Sequence, residues 1–197
     1  MKKTDKLIKR CLWVPEGNLL YQKYHDREWG VPVYRDRKIF EFLVLESAQA
    51  GLSWLTVLRK RKNYKKAFFN FDPKKVAKLK ASDLKRLMNN PGIIRNRLKI
   101  EATISNAKHF LEVKSEFGTF SKYIWGFVGG KPICNRRQKV SDIPAKTQKA
   151  EEISKALKER GFKFMGPTII YAHMQATGMV NDHITNCFRY KDLVKLI

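Results

Sequence analysis

Two cysteines and two histidines have spacings that metal ligands can have. Thirteen residues separate Cys11 from His25 near the N-terminus, and three residues separate His183 from Cys187 near the C-terminus. The second pair would share one face if its segment is helical. By spacing alone two interpretations stay open: a closed, structural Cys2His2 zinc site, or two buried thiols and two ordinary histidines. Cys134 stands alone and is interpreted as an ordinary cysteine.

A carboxylate stands among aromatic residues in two segments, YQKYHDREWG and LESAQAGLSW. Glu46 interrupts an apolar helical pattern, and Tyr21, Tyr24, Trp29 and Trp54 are available to stack. Aromatic walls around one carboxylate suit a planar base that is cationic or carries an amine. A carboxylate with apolar neighbours is costly to bury unpaired, so it has a partner or faces a site. The alternative is an ordinary core in which this carboxylate binds backbone amides.

A Pro-Gly turn at residues 90–94 joins two predicted helices. Gly92 permits close approach of the backbone, and Arg95, Arg97 and Lys99 follow at once. The first amides of the following helix can bind a phosphate. The pattern favours sequence-independent contact with a DNA backbone. An ordinary helix–helix turn with solvated basic residues is the alternative.

Helices must position these groups, because apolar residues recur at helical spacing. No run of strictly alternating apolar and polar residues is long enough to predict a sheet. The sequence therefore predicts an all-α fold. Asp36, Ser53 and Asp72 are candidate helix caps. A long helical pattern covers residues 95–118, and further helices follow it. Residues 129–147 contain two glycines, two prolines and no helical period, which predicts an exposed loop.

The composition indicates a folded and strongly basic protein. In 197 residues, 41 Lys and Arg stand against 18 Asp and Glu, so the net charge is +23, and 43% of residues are hydrophobic. This content can form a core and excludes a disordered polycation. Between residues 55 and 100 there are fifteen basic and two acidic residues. The charge predicts a polyanionic partner, nucleic acid before a membrane, with a merely solvated basic surface as the alternative.

Location in the cell is predicted from what the sequence lacks. No apolar run approaches the length of a membrane span, and no apolar segment follows the charged N-terminus as in a signal peptide. Three scattered cysteines do not form a disulfide framework, which favours a reducing compartment. We therefore expect a soluble, cytoplasmic protein that does not interact with membranes.

The three groups coincide in one known family. The runs CLWV, YHDREWGVPV, LESAQAGLSWLTVLRKRKNYKKAF, GIIRNRLKI and SKALKERGFKFMGPTIIYAHMQATGMVNDH resemble 3-methyladenine DNA glycosylase I, the bacterial alkylation-repair enzymes of the helix-hairpin-helix superfamily. The resemblance covers roughly residues 11–187. It implies an all-α helix-hairpin-helix glycosylase fold with a zinc ion joining the N- and C-terminal segments. It also leaves residues 1–10 as a basic arm, expected to be disordered, before a single two-lobed domain over residues 11–197.

The resemblance implies a role for each group. The implied ligands of one structural Zn²⁺ are Cys11, His25, His183 and Cys187. The implied base-binding residues are the catalytic Glu46, Tyr24 and Trp54 stacking on the base, and Trp13, Tyr21 and Trp29 at the periphery. The implied DNA contacts are Pro91, Gly92, Ile93, Arg95 and Arg97 of the hairpin, with Gln49 and Leu52 in a wedge loop that fills the gap left by a flipped base.

The implied reaction is hydrolysis of the N-glycosidic bond of a flipped nucleotide in double-stranded DNA, releasing free 3-methyladenine. N3-methylation makes the adenine cationic and a good leaving group, so selecting the charged base is much of the catalysis. Residues 93–116 contain no aspartate, although many helix-hairpin-helix glycosylases place an essential one there. Glu46 is therefore interpreted as a residue that recognises the base and stabilises its charge. The enzyme is expected to be a monomer. The alternatives are a catalytically inactive, zinc-stabilised nucleic-acid-binding module and a basic face that docks on a membrane or protein.

Overall fold

The computed structural model describes residues 8–195, and residues 1–7 and 196–197 lie outside the described part. The predicted all-α fold is confirmed for the described residues. Their ten α-helices are α1 Leu19–Arg27, α2 Asp36–Gln49, α3 Trp54–Ala67, α4 Pro73–Val76, α5 Ala81–Met88, α6 Arg97–Phe117, α7 Phe120–Gly126, α8 Gln148–Glu159, α9 Pro167–Ala176 and α10 Phe188–Val194. Among residues 8–195, no helix combines the length and apolar content that a membrane span requires.

Helix starts follow the local cap chemistry at two of three predicted positions. The Ser53 hydroxyl accepts a hydrogen bond from the Thr56 amide at 3.2 Å and begins α3. Asp72 caps α4 in the same way, ahead of a proline at the first helical position. Asp36, however, is the first residue of α2 and does not cap it. Its carboxylate instead accepts from the Ser121 amide at 2.9 Å, which ties α2 to α7.

Helix α2 is the central element of the fold. It contacts α3, α6, α7 and α9, and its residues from Ile39 to Ala48 are buried except for Glu41. Such a helix passes through the core and does not lie on its surface. The Glu46 carboxyl is therefore carried into the interior on a rigid element, which an exposed loop would not do.

The irregular segment 129–147 is more structured than its sequence indicated. Its strand β1, Ile133–Cys134, pairs in parallel with β2, Val180–Asn181, and Val140–Asp142 forms a 3-10 turn. The sequence predicted no sheet, because two residues per strand are too short to show alternation. The pairing fixes this loop against the segment that follows α9.

Both ends of the described chain correct details of the sequence prediction. Residues 183–187 are not helical and connect β2 to α10, so His183 and Cys187 do not share a helix face. Within the predicted arm, residues 1–7 lie outside the described part. Arg10, at its other end, forms a 2.7 Å ion pair with Asp26, and the carbonyl of Lys9 accepts from the Phe188 amide at 2.9 Å.

Candidate active site

One cavity collects the aromatic residues and the carboxylate singled out in the sequence. Its volume is about 330 Å³, within the size range of small-molecule sites. Its lining residues are Trp13, Tyr21, Tyr24, Trp29, Glu46, Gln49, Trp54, Val140, Ile143, Ala172 and Gln175. All six residues predicted to form a base pocket therefore share one cavity, although they come from the N-terminal segment, α1, the turn after α1, α2 and α3.

Glu46 is a buried carboxyl that forms no hydrogen bond or ion pair with any of residues 8–195. It is 4% exposed, and burial raises its pKa to about 8, against a smaller opposing effect of the Arg61 charge. Arg61 does not reach it, because its guanidinium binds both oxygens of Glu28, at 2.9 and 2.7 Å, and one oxygen of Glu41 at 2.7 Å. The arrangement leaves Glu46 as an unneutralised acid on an aromatic wall, and a cation entering the cavity would favour its ionised form.

The aromatic rings form connected walls. Tyr24 and Trp54 lie 5.2 Å apart, centroid to centroid, with a tilt of 49°, so they form one surface and leave no room for a base between them. On the other side, Trp13 packs edge to face against Trp29 at 4.9 Å and Tyr21 at 5.5 Å. These contacts fix the rings before any ligand enters, which makes the cavity a preformed site.

Four cavity residues were not predicted from the sequence. Val140 and Ile143 come from the loop 129–147, and Ala172 and Gln175 come from α9. The loop residues gave no periodic signal. Gln175 could have been noticed in the sequence, because it is an amide in a largely apolar helix. Gln49, which was expected to contact DNA, is also found on the cavity wall.

The predicted DNA hairpin is anchored to α3. Lys60 donates to the carbonyl of Pro91 at 2.6 Å, and the Ile94 amide donates to the Tyr64 hydroxyl at 3.1 Å. A Cβ on Gly92 would lie 2.9 Å from the Cβ of Asn63 in α3. Glycine is therefore needed here because the backbone of the turn packs closely against α3. The turn therefore has a fixed position relative to the cavity residue that begins α3.

Side chains of the hairpin differ in what they can contact. Ile93 is buried in the core, so its side chain is not available for contact with DNA. Arg95 and Arg97 are exposed, and Arg97 forms a 2.7 Å ion pair with Glu101. Of the two, only Arg95 forms no ion pair with a carboxylate in the described part of the chain.

Lys99 has a structural position that its sequence neighbours did not indicate. It is buried and donates to the carbonyls of Ala48 at 2.9 Å and Ala50 at 2.6 Å, so the expected contact with DNA is wrong for this residue. It holds the end of α2 and the loop that follows. That loop presents Leu52, which is 40% exposed.

The four predicted metal ligands meet in one buried cluster. The ligand atoms of Cys11, His25, His183 and Cys187 all lie within 4.8 Å of one another. Cys187 Sγ is 3.5 Å from His25 Nε2 and 3.4 Å from His183 Nδ1, and Cys11 Sγ is 3.6 Å from His183 Nδ1. Two thiols and two imidazoles at these separations match the donor set of a tetrahedral zinc site.

Groups around the cluster orient both imidazoles toward its centre. His25 Nδ1 is hydrogen-bonded to the Asp26 carboxylate at 2.8 Å, and His183 Nε2 to the carbonyl of Trp29 at 3.0 Å. Because a carbonyl or carboxylate oxygen accepts, the hydrogen of each ring sits on the outer nitrogen. The inner nitrogen of each ring then offers a lone pair beside the thiols, as a metal ligand must.

Fold and site together define a class of protein. An all-helical fold, a net charge of +23 and an aromatic cavity around an acid without a partner among residues 8–195 fit a protein that binds a flipped base of a nucleic acid. The sequence model of the methyladenine glycosylase family matches residues 13–190, and the chain belongs to this family.

The similarity extends over nearly the whole length of individual relatives. The DNA-3-methyladenine glycosylase of Haemophilus influenzae is 49% identical over 178 residues, 90% of this chain and 96% of that protein. The Escherichia coli DNA-3-methyladenine glycosylase 1 is 48% identical over 183 residues, 93% and 97% of the two chains. The solved structure of 3-methyladenine DNA glycosylase I from Staphylococcus aureus, which concerns 3-methyladenine recognition, has a TM-score of 0.89 at 39% identity and covers 92% and 96%.

Proposed function

We propose that this chain removes 3-methyladenine from alkylated double-stranded DNA by hydrolysing the N-glycosidic bond of a flipped nucleotide. The observation that carries the proposal is Glu46, a buried acid without a partner on the wall of an aromatic cavity. A neutral base does not offset the cost of ionising such an acid, whereas N3-methylated adenine brings the positive charge that does. The cavity thus favours the damaged base over a normal one.

The chemistry follows from the charge on the base. In the reaction, the bond between C1′ and N9 breaks and its electron pair goes to N9, which neutralises the ring. Water adds its oxygen to C1′ and releases a proton. Glu46 holds the cationic base in position, while Tyr24 and Trp54 supply the stacking surface and Trp13, Tyr21 and Trp29 close the other side. Base selection therefore supplies much of the rate enhancement.

One structural zinc ion is part of the proposal, because the cluster fits it. Cys11, His25, His183 and Cys187 would hold the ion, which supplies cross-linking of distant segments and no reaction chemistry. The support is the buried Cys2His2 donor set, in which the inner nitrogen of each imidazole lies beside the Cys187 thiol. The ion would join the first described segment to the last.

We further assign α5, the turn and α6 as the helix-hairpin-helix element that holds the DNA backbone. Pro91, Gly92 and Ile93 would contribute backbone contacts, and Arg95 and Arg97 charge. Leu52, exposed on its loop beside the cavity residue Gln49, would be the wedge. Residues 11–197 then form one monomeric domain of two lobes, with residues 1–10 as a basic arm, in the reducing cytoplasm where its cysteines stay free.

Free 3-methyladenine is expected to quench the tryptophan fluorescence of the protein in a saturable way. Replacing Trp54 with phenylalanine should remove most of the quenching and weaken the affinity roughly 10-fold, because stacking contributes on the order of 1–3 kcal/mol per base. A fluorescence titration with the free base measures both effects. The matched control is Trp125→Phe, since Trp125 lies outside the cavity and donates to the Val33 carbonyl. A wild-type protein without saturable quenching would favour the inactive binding module.

Arg95→Ala is expected to weaken binding to undamaged duplex uniformly across sequences. The slope of the logarithm of affinity against the logarithm of salt concentration should fall by about 1, because one phosphate contact is lost. Fluorescence anisotropy over a salt series measures the slope. Arg160→Ala is the control, because Arg160 is neutralised by Glu116 at 2.6 Å. An unchanged slope in Arg95→Ala would remove the hairpin from the DNA interface.

A further inference from the structure

Gln175 brings an amide side chain to the base cavity from α9. Its nitrogen Nε2 donates to Asp182 Oδ2 at 2.8 Å. A carboxylate oxygen only accepts, so this contact fixes which end of the amide faces inward. Within residues 8–195, the hydrogen bonds of this side chain use only its nitrogen. The carbonyl oxygen Oε1 is therefore the end available to a ligand in the cavity.

Asp182 is itself held in place by several donors. The side chain is fully buried. Its oxygens accept from the Tyr171 hydroxyl and from Asn135 Nδ2, the latter at 2.8 Å, and the Arg137 guanidinium lies 3.6 Å away. With this many donors around it, the Asp182 carboxylate is a fixed acceptor. The amide of Gln175 cannot reverse without losing its bond to that carboxylate.

The backbone of Gln175 is also constrained. Its carbonyl accepts from the Gly30 amide at 2.9 Å, and Gly30 follows the cavity residue Trp29. A Cβ on Gly30 would lie 2.9 Å from Leu193 Cδ1 and 3.1 Å from the His183 ring, so this segment is tightly enclosed. Both the main chain and the side-chain nitrogen of Gln175 are thus fixed, and the oxygen has a defined direction.

We propose that Gln175 determines specificity by accepting a hydrogen bond from the exocyclic amine of the flipped base; this rests on the proposed function. An adenine amine has two N–H bonds, and the Glu46 carboxylate and Gln175 Oε1 are two acceptors on the cavity wall that could receive them. A base with an oxo group at the same position, such as a methylated guanine or hypoxanthine, brings an acceptor against this acceptor. Such a mismatch leaves both oxygens unpaired and disfavours binding.

The test compares the affinities of two free bases, 3-methyladenine and 3-methylhypoxanthine, which differ by an amine and an oxo group. Wild-type protein is expected to bind the amine-bearing base more tightly. Gln175→Met, and Gln175→Leu as a second variant, should reduce that ratio about 10-fold, as expected for one hydrogen bond. Tryptophan fluorescence titration gives both dissociation constants. Gln148→Met is the matched control, because Gln148 is exposed on α8 and does not line the cavity.

The outcomes separate this proposal from the function it rests on. If the variants weaken both bases equally, Gln175 only packs, and the specificity role is wrong. A ratio near one in the wild-type protein overturns it without any variant, even where a substituted chain does not fold. Neither result contradicts the proposed glycosylase function as long as wild-type protein releases 3-methyladenine from alkylated duplex. Absence of that release would instead refute the proposed function.

Discussion

Glu46→Gln is expected to lower the rate of 3-methyladenine release by about 100-fold or more. Glutamine keeps the shape of the side chain but removes the negative charge that offsets the cationic base. Loss of one charged interaction in a water-excluded site costs roughly 10²–10³ in rate. Single-turnover excision from methylated duplex, with the released base quantified by chromatography, measures this effect.

Two controls make the result specific to the cavity. Glu112→Gln changes an acid on α6 whose side chain is 67% exposed, and it should leave excision unchanged. Binding of Glu46→Gln to undamaged duplex should also persist, since the hairpin and the cavity are separate surfaces. Normal excision by Glu46→Gln would mean that the pocket is wrongly assigned.

The raised pKa of Glu46 also predicts how the activity depends on pH. In the free protein the carboxyl ionises near pH 8, so kcat/KM of the wild type should rise with pH and level off above about 8. This rise should be absent from the residual activity of Glu46→Gln. A wild-type profile that is flat between pH 6 and about 9 would contradict the role of Glu46 as the charged partner of the base.

The same pKa shift predicts that Glu46→Gln does not act by unfolding the protein. The folded-state pKa of about 8 lies above the ordinary value of 4.5. The neutral carboxyl therefore contributes stability that is fully present below pH 4.5 and is lost as the pH rises through 8. Glutamine does not ionise, so the variant should equal or exceed the wild type in thermal midpoint at pH 8. Thermal unfolding at pH 4.5 and pH 8 checks the sign.

The helices could be predicted where local chemistry decides them. Ser53 and Asp72 begin helices because each side chain satisfies a free backbone amide a few residues further on. Helix α1 was not predicted, because its residues are largely polar and show no clear apolar stripe. The turn at residues 183–187 could not be distinguished from a helix by sequence, because a spacing of four residues suits either. Its shape depends on contacts with α1 and with the N-terminal segment.

Some residues of the site could likewise be identified from the sequence, and others could not. Glu46 was identifiable from its apolar neighbours, which make an isolated acid conspicuous. Lys99 was not separable from the basic residues around it, because its burial depends on carbonyls about fifty positions earlier in the chain. Val140 likewise reaches the cavity only because β1 pairs with β2. Long-range contacts of this kind leave no periodic trace in the sequence.

Cys11→Ser is expected to remove a bound zinc ion and to lower the thermal midpoint by more than about 10 °C. Binding of a structural zinc ion contributes on the order of 10 kcal/mol, and each kcal/mol shifts the midpoint of a chain this size by roughly 2–4 °C. Elemental analysis and thermal unfolding measure the two effects. The chain contains its own matched control in Cys134, a cysteine outside the cluster. Cys134→Ser should keep one zinc ion per chain.

A chelator that removes no zinc and leaves the midpoint unchanged would contradict the metal site. The effect of zinc loss on base binding is a sharper test, because the proposed zinc ligands are next to cavity residues in the chain or are hydrogen-bonded to them. His25 follows Tyr24 in α1, and His183 is hydrogen-bonded to the carbonyl of Trp29. Loss of the ion should therefore loosen both Tyr24 and Trp29, which lie on different walls of the cavity. Below its own melting temperature, Cys11→Ser should therefore bind free 3-methyladenine more weakly than Cys134→Ser. Equal affinities would mean that the cluster joins the chain ends without holding the base pocket.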